Sequence, residues 1–366
     1  MMLIILACAI GFFFAMNIGA SGAAASMGIA YGSGAIKRRR FALLICAAGV
    51  MLGASLGGGE VVKTLGSKII PQDMITVKIS IILLASATLT LFAANLLGIP
   101  LSTSEVTVGS IVGVGIAFKK VYVTTLLKIV SYWLLFPLIA LLLAFLANAV
   151  LKKHKHSLEF LQRGKWGTLF TGLVIFTGFA EAFSAGMNNV ANSVGPLVAA
   201  GILTVNKGIV IGGLFVAFGA FLLGGRVIET NGKKITELSL LQGSAVSGLG
   251  ASLVIIASLF GIPVPQTQIT TCSILGIGLS DKGWSVLGKE VISRLLKIWL
   301  ISPFVSLVLS YNLIKLFMEF DYYSITLVIS VFIATAGLIS LAKPAGRKNI
   351  LVYKKASIEN VRRKIT

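Results

Sequence analysis

Ala185-Gly186-Met187-Asn188-Asn189-Val190-Ala191-Asn192-Ser193-Val194-Gly195-Pro196 sets amides, small residues and a proline between two apolar runs near the middle of the chain. A reduced copy, Ala15-Met16-Asn17-Ile18-Gly19-Ala20-Ser21, stands near its start. Polar groups at membrane depth are costly and mark functional sites. A polar break repeated in both halves of a membrane chain therefore points to a transport site.

The flanking runs make this a membrane chain. Of 366 residues, 56% are hydrophobic and 12% charged, and mean hydropathy is +0.96. Stretches such as Ile79 to Leu97 and Trp133 to Leu151 are long enough to cross a hydrocarbon core of about 30 Å. A soluble α/β protein holds a few such stretches as buried strands, not ten or so. The first run, Leu3 to Phe14, follows no basic residue, so a retained helix is expected there and not a secretory signal. Cys8, Cys46 and Cys272 are odd in number and lack metal-ligand spacing, which argues against disulfide and metal roles.

The net charge of +20 is concentrated at Lys37 to Arg40, Lys152 to Lys165 and Lys343 to Lys364, at the ends of hydrophobic spans. This is the positive-inside pattern and places those segments in the cytoplasm. Nucleic-acid binding would need a folded basic domain, which the pattern leaves no room for. The C-terminal tail reads as solvated, with membrane lipid headgroups as a further partner.

An internal repeat organises the chain. Ala54 to Thr64 matches Ala220 to Thr230, Gly98-Ile99-Pro100-Leu101 matches Gly261-Ile262-Pro263-Val264, and Trp133 with Pro137 matches Trp299 with Pro303. The boundaries that follow are a first repeat over 1–150, a basic cytoplasmic linker over 151–165, a second repeat over 166–318, a last transmembrane helix over 319–342 and a basic cytoplasmic tail over 343–366. Charge bias reverses between equivalent loops: Lys37-Arg38-Arg39-Arg40 corresponds to a segment with only Lys207, and the loop of 66–72 to one with Lys233 and Lys234. The expected fold is all-α, a polytopic inverted-topology repeat with broken helices or re-entrant hairpins. Five crossings per repeat and a last helix give about 11 segments (10–12), with the N-terminus outside and the C-terminus in the cytoplasm. Lys119 and Lys120 would then face outward against the charge rule, unless Pro100 to Phe118 is re-entrant.

A second pair of polar breaks is Pro100-Leu101-Ser102-Thr103-Ser104-Glu105 and Pro263-Val264-Pro265-Gln266-Thr267-Gln268. Each proline ends an apolar run and the polar cluster opens the next, as at the start of a half-helix with its free N–H groups and positive dipole end. Counting the asparagine motifs, four such starts are expected to converge on an anion, with Asn17, Ser21, Ser102, Thr103, Ser104, Asn188, Asn189, Asn192, Gln266 and Thr267 as substrate-binding residues. The same residues also suit helix capping and helix-helix contact. Gly57-Gly58-Gly59 lacks the lysine-serine ending of a phosphate loop.

At these positions the chain resembles the inorganic phosphate transporters, whose Gly-x-Asn-Asp-x-Ala-Asn core with a following Gly-Pro matches Gly186, Asn188, Val190, Ala191, Asn192, Gly195 and Pro196. The family's Pro-x-Ser-Thr-Thr-His element resembles Pro100 to Glu105, and its Gly-Arg-Val-x-x-Thr resembles Gly225 to Thr230. The family's aspartate is Ile18 in one copy and Asn189 in the other, its histidine is Glu105 and Gln268, its second Ser-Thr pair is Pro265-Gln266, and a common glutamate is Gly248. Losing both aspartates argues against sodium coupling. A site of amides and hydroxyls suits sulfate, an acceptor-only anion that a carboxylate repels. The combination resembles the family's sulfate permease branch, which implies a proton-coupled importer of sulfate serving cysteine synthesis in a bacterial plasma membrane.

Burial disfavours the ionised form of a carboxylate, so the candidates for proton coupling are Glu105, Glu181 and Glu60. Glu60 and Arg226 hold equivalent positions and suit a structural ion pair, and Lys128, Arg294 and Lys297 suit snorkelling to an interface. The partners expected are a small oxyanion (sulfate, with thiosulfate, selenate and molybdate as chemical neighbours), protons and lipid, with no nucleic acid, no metal and no cofactor; a homo-oligomer is left open. A sodium-coupled phosphate symporter and a passive oxyanion channel are the rival functions. An enzyme is not expected, because both histidines, His154 and His156, fall in the basic linker and leave no convergent acid-base pair.

Overall fold

The computed structural model describes residues 1–96, 101–154, 166–229, 238–323 and 326, except for the side chains of 166, 287, 289–296 and 298. Among them every regular element is helical. The first half comprises α1 (Met2–Ile18), continued by a π-helical turn at Gly19–Ala23, then α2 (Gly28–Gly32), α3 (Arg39–Gly57), α4 (Gly59–Lys63), α5 (Val77–Leu96), α6 (Thr103–Ala117) and α7 (Val123–Lys153). The second comprises α8 (Trp166–Ala199), α9 (Val205–Leu223), α10 (Leu240–Leu259), α11 (Gln266–Lys282) and α12 (Lys289–Phe317). Eight of the described helices are long and apolar enough to cross a membrane. Leu134, Leu138, Leu142 and Leu146 form an exposed apolar stripe along α7 at helical spacing, the surface a lipid-facing helix presents. The unit beginning at Lys315 is compact by itself and includes the hydrogen-bonded pair Lys315–Glu319. The expected last helix and basic tail lie outside the described residues, apart from 319–323 and 326.

Two of the five main segments in each half fold back on each other. Between α6 and α7 the chain passes Tyr122, whose N–H donates to the Ile69 carbonyl at 2.9 Å. Ile69 precedes α5, so α5 and α6 enter and leave at one end of the bundle. At the second hairpin, Gln242 near the start of α10 donates to Asp281 near the end of α11 at 2.8 Å, and Asn148 near the end of α7 donates to the same carboxylate at 2.9 Å. Helix α7 has 31 residues and is about 46 Å long, enough to cross the bundle. The α5–α6 hairpin therefore opens at the end where α7 starts, and the α10–α11 hairpin at the end where α7 finishes. Opposed hairpins are the inversion that the loop charges foretold.

The halves are also interlocked, and the same contacts recur on each side of the pseudo-symmetry. A Cβ on Gly113 of α6 would lie 2.2 Å from the Leu307 carbonyl oxygen of α12, and one on Gly276 of α11 would lie 2.2 Å from the Leu141 carbonyl oxygen of α7. Each hairpin is thus clasped by the long helix of the other half. Likewise α8 packs on α3, where Gly186 meets the Val50 carbonyl and Gly53 meets Phe183, and α1 packs on α9, where Gly19 meets the Val216 carbonyl and Gly219 meets Met16. Only glycine allows backbones this close, the usual way membrane helices associate.

The basic residues follow the same geometry. Ile29 of α2 lies against Gly243 near the start of α10, which brings Lys37 to Arg40 to the end that also holds Lys152 and Lys153. Gly178 near the start of α8 meets Met27, and Gly11 of α1 meets Leu197 near the end of α8, so Met1 stands at the opposite end. Lys119 and Lys120, after α6, also stand there. A returning hairpin does not move them, contrary to the exception allowed in the sequence reading, because its two open ends share one side.

Candidate functional site

The tips of the two hairpins meet at α8. Ser102 caps α6, with its Oγ accepting from the Glu105 N–H at 3.4 Å, and Thr103 is the first helical residue. Helix α11 starts at Gln266 after Pro265, whose ring fixes φ for the turn and has no N–H to leave unpaired. Asn189 joins the two starts: Thr103 Oγ1 donates to its Oδ1 at 3.3 Å, and its Nδ2 donates to Gln266 Oε1 at 3.0 Å. Asn192, one turn on, donates to Thr103 Oγ1 at 3.2 Å and Ser104 Oγ at 3.3 Å. All of these side chains are buried.

Asn188 is fully committed. Its Nδ2 donates to Ser258 Oγ at 2.9 Å and the Ile262 carbonyl at 3.1 Å, and its Oδ1 accepts from Ser104 Oγ and the Val264 N–H, both at 3.2 Å. These bonds use the whole capacity of an amide, so Asn188 positions the chain between α10 and α11. By contrast Asn192 Oδ1 is buried with no partner among the described residues. An orphaned buried acceptor needs an explanation; in this cluster a proton-bearing ligand or a water supplies one.

Glu105 is the third residue of α6 and Gln268 the third of α11. Ser102-x-x-Glu105 has the sequence of a capping box, yet the reciprocal bond seen at Ser239 and Gln242 is not formed here. The Glu105 carboxylate is instead turned across the tips, where it accepts from Gln268 Nε2 and, at 3.0 Å, from Ser302 Oγ of α12. Glu181 lies two turns before Asn188 on α8; its Oε1 accepts from Thr270 Oγ1 at 2.8 Å, and its main-chain carbonyl accepts from Gln266 Nε2 at 3.1 Å. Glu105 is 3% exposed and Glu181 4%, and neither has an ion pair among the described residues.

Seven of the ten expected binding residues come together here: Ser102, Thr103, Ser104, Asn188, Asn189, Asn192 and Gln266. Asn17 Nδ2 bonds the Phe13 carbonyl and Ser21 Oγ the Asn17 carbonyl of their own helix, and among the described residues no hydrogen bond joins either side chain to the cluster. Their segment still reaches the site through Gly22, where a Cβ would sit 4.0 Å from Asn189 Nδ2. Thr267 is half-buried in the first turn of α11. Glu60 is exposed and paired with Lys63 at 2.6 Å, so it joins neither the cluster nor Arg226. Lys128 and Lys297 are exposed, and the side chain of Arg294 lies outside the described residues. Ser258, Thr270 and Ser302 carry no signal in the sequence, and Gln268 is not among the expected binding residues. Gln268 alone carried a signal, its equivalence to Glu105.

One expectation is corrected. The site has two helix starts, not four, because both asparagine motifs lie inside helices. Helix α8 runs unbroken from Trp166 to Ala199 with Pro196 inside it. Asn188, Asn189 and Asn192 send their side chains outward to α6, α10 and α11 and so do not compete for the backbone bonds of α8. Pro196 removes one bond in the last turn, where the helix is ending.

The cluster combines two helix N-termini, hydroxyls and amides, with no cationic side chain and no group of three or more metal-ligating residues among those described. The first-turn N–H groups of Glu105, Gln266 and Gln268 are bonded to Ser102 Oγ and to the Val264 and Pro265 carbonyls; those of Thr103, Ser104 and Thr267 are left at the positive ends of the two helix dipoles, so the arrangement favours a small anion. An apolar cleft of about 700 Å³ along Thr168 to Phe176 adds no polar chemistry and lies near the start of α8, away from the asparagines.

A model of the phosphate transporter family matches residues 18–310. This chain belongs to that family. Sulfate permease CysP of Bacillus subtilis (strain 168) is 55% identical to it over 342 residues, covering 93% of this chain and 96% of the relative. Among solved structures, "The sodium-dependent phosphate transporter" superposes with a TM-score of 0.74 at 24% identity, over 87% of this chain and 100% of that one. That likeness bears on the fold alone, and it agrees with the polytopic helical bundle described above. Asn189 of α8 and Gln268 of α11 stand where the resemblance to the family leads one to expect an aspartate and a histidine.

Proposed function

We propose that this protein is a secondary active transporter that imports sulfate with protons, across a bacterial plasma membrane, through the site between the tips of α6 and α11. The observation that carries this reading is Asn189, an amide hydrogen-bonded to both helix starts. A carboxylate there would repel a dianion and offer a charged oxygen to a cation; the amide is neutral, and its Oδ1 already accepts from Thr103. Sulfate is an acceptor at every oxygen and suits the first-turn N–H groups of Thr103, Ser104 and Thr267, and the hydroxyls of Thr103 and Ser104 once their protons turn to it from the Asn189 and Asn188 oxygens. Membership of the family and the 55% identity to a sulfate permease support transport of a small inorganic anion and sulfate as its identity. Two buried carboxylates without counterions, Glu105 and Glu181, support protons as the coupling ion.

The basic segments at one end and Met1 at the other support an N-terminus outside the cell and a C-terminus in the cytoplasm. Opposed hairpins support access to the tips from each side in turn.

Uptake of labelled sulfate by purified protein in liposomes tests the reading. An inward proton gradient should drive accumulation and an inward sodium gradient should not. Sulfate uptake that needs sodium and is blocked by phosphate would favour the second reading, a sodium-coupled phosphate symporter. That reading has one observation on its side: Asn192 Oδ1 is an unfilled acceptor, and a hydrogen phosphate has a proton to give it.

A further inference from the structure

Both buried carboxylates of the interior are held by the first turns of one helix. Thr270 of α11 donates to Glu181, and Gln268 of α11 donates to Glu105. Gln266 and Thr270 are four residues apart and share the face toward α8, while Gln268 points to the face toward α6 and α12. The same turns form one wall of the anion site through Gln266. The acids therefore flank the helix start that the anion would contact.

Among the described residues the surroundings of each acid are uncharged. Around Glu105 stand Gln268 of α11 and Ser302 of α12, and the adjoining Thr103 and Ser104 bond the three asparagines of α8; Lys78 of α5 and Lys297 of α12 are exposed. Around Glu181 stand Thr270 of α11 and α10, which contains no charged residue, and the nearest titratable group of α3 is Cys46, whose thiol donates to the Ala23 carbonyl at 3.0 Å. On α7 and α11, Lys128 is exposed near one end, and Lys152 and Asp281 interact at the other. Burying one ion without a partner costs several kcal/mol, and two anions beside a bound dianion would add mutual repulsion. A proton on each acid removes both costs.

We propose that Glu105 and Glu181 are a pair of proton carriers, one on each face of the α11 start, so that one sulfate dianion enters with two protons and no net charge moves. This rests on the proton-coupled reading above and adds its stoichiometry and its residues. Each carboxylate takes a proton from the outer solution when sulfate binds and releases it to the cytoplasm when sulfate leaves. The loaded carrier, with one dianion and both acids protonated, has the same net charge as the empty carrier that returns with both acids ionised, so a complete cycle moves no net charge.

The test is sulfate flux in liposomes containing the full chain, with the membrane potential clamped by potassium and valinomycin. Two protons per sulfate make initial uptake insensitive to potential, and each pH unit imposed balances a sulfate ratio of about 100-fold; one proton balances about tenfold and leaves flux dependent on potential. The first result supports the pair and the second overturns it while leaving proton symport in place. A flux unmoved by any pH gradient overturns both. Glu105→Gln and Glu181→Gln should each retain exchange of labelled for unlabelled sulfate and bring the balance down to about tenfold. A variant that exchanges sulfate and keeps the about 100-fold balance removes that acid from the pair. The wild-type balance decides the stoichiometry even if a variant does not fold.

Discussion

Glu105 and Gln268 hold the same position, third residue after the cap, in two helices related by the internal repeat, and they hydrogen-bond to each other across it. The contact joins the two hairpin tips beside the proposed anion site. Gln268→Ala would leave Glu105 Oε1 buried without this donor, at a cost of about 1–3 kcal/mol. The expected result is a lower Tm in detergent, measured by the fluorescence of the unfolding protein. An unchanged Tm would show that the tips do not depend on this bond.

Asn189→Asp tests selectivity. The substitution replaces the donor to Gln266 Oε1 by an acceptor and sets a negative charge beside the two helix starts. Sulfate uptake at neutral pH should fall by about tenfold or more, from charge repulsion and a lost hydrogen bond together. Uptake counted with labelled sulfate checks this, and an unimpaired variant would remove Asn189 from the site.

The interlocked backbone makes a symmetric prediction about stability. A methyl group at Gly113 would meet the Leu307 carbonyl oxygen and one at Gly276 the Leu141 carbonyl oxygen, each at 2.2 Å. Gly113→Ala and Gly276→Ala should each destabilise the bundle by about 1–3 kcal/mol, the usual cost of overpacking. Gly172, with nothing within 4 Å of its would-be Cβ, is the control whose change to alanine leaves Tm unaltered.

Glu60 provides a test of which acids couple. Its carboxylate is exposed, and the Lys63 hydrogen bond and charge hold its pKa below the ordinary carboxylate range. A lowered pKa means that the ion pair is present above the ordinary value and is lost as pH falls through the lowered one, so Glu60 stays ionised throughout the neutral range. Glu60→Gln should therefore leave the pH dependence of sulfate uptake between about pH 6 and 8 as it is in the unaltered protein. A shifted profile would bring Glu60 back as a proton carrier.

The membrane class, the repeat and its inversion were legible because each depends on patterns that are local or simply periodic. Apolar length, the run Lys37 to Arg40 and the recurrence of Gly-Ile-Pro each report their meaning without knowledge of a neighbour. The tips were legible for the same reason, since Ser102 and Pro265 are start signals for the helices they precede. The asparagine motif misled because Asn, Gly and Pro in sequence read as breakers. In α8 the asparagines face partners seventy or more residues away, such as Ser104, Ser258 and Val264, and a helix so supported overrides its own propensities.

By itself, then, the sequence determined the solvent of this protein, the existence of two opposed halves and the small polar inventory set between them, because hydrophobic length, charge bias and helix starts are properties of contiguous residues. Tertiary structure alone decided which of those polar groups face one another. Asn188 became a fully bonded strut and Asn189 a bridge between helix starts; Glu60 went to the surface, while Glu105 was drawn to Gln268 and Glu181 to Thr270. The physical reason is that a buried hydrogen bond or an unpaired carboxylate acquires its role from what lies across the gap, and the clasping of each hairpin by the other half sets that distance.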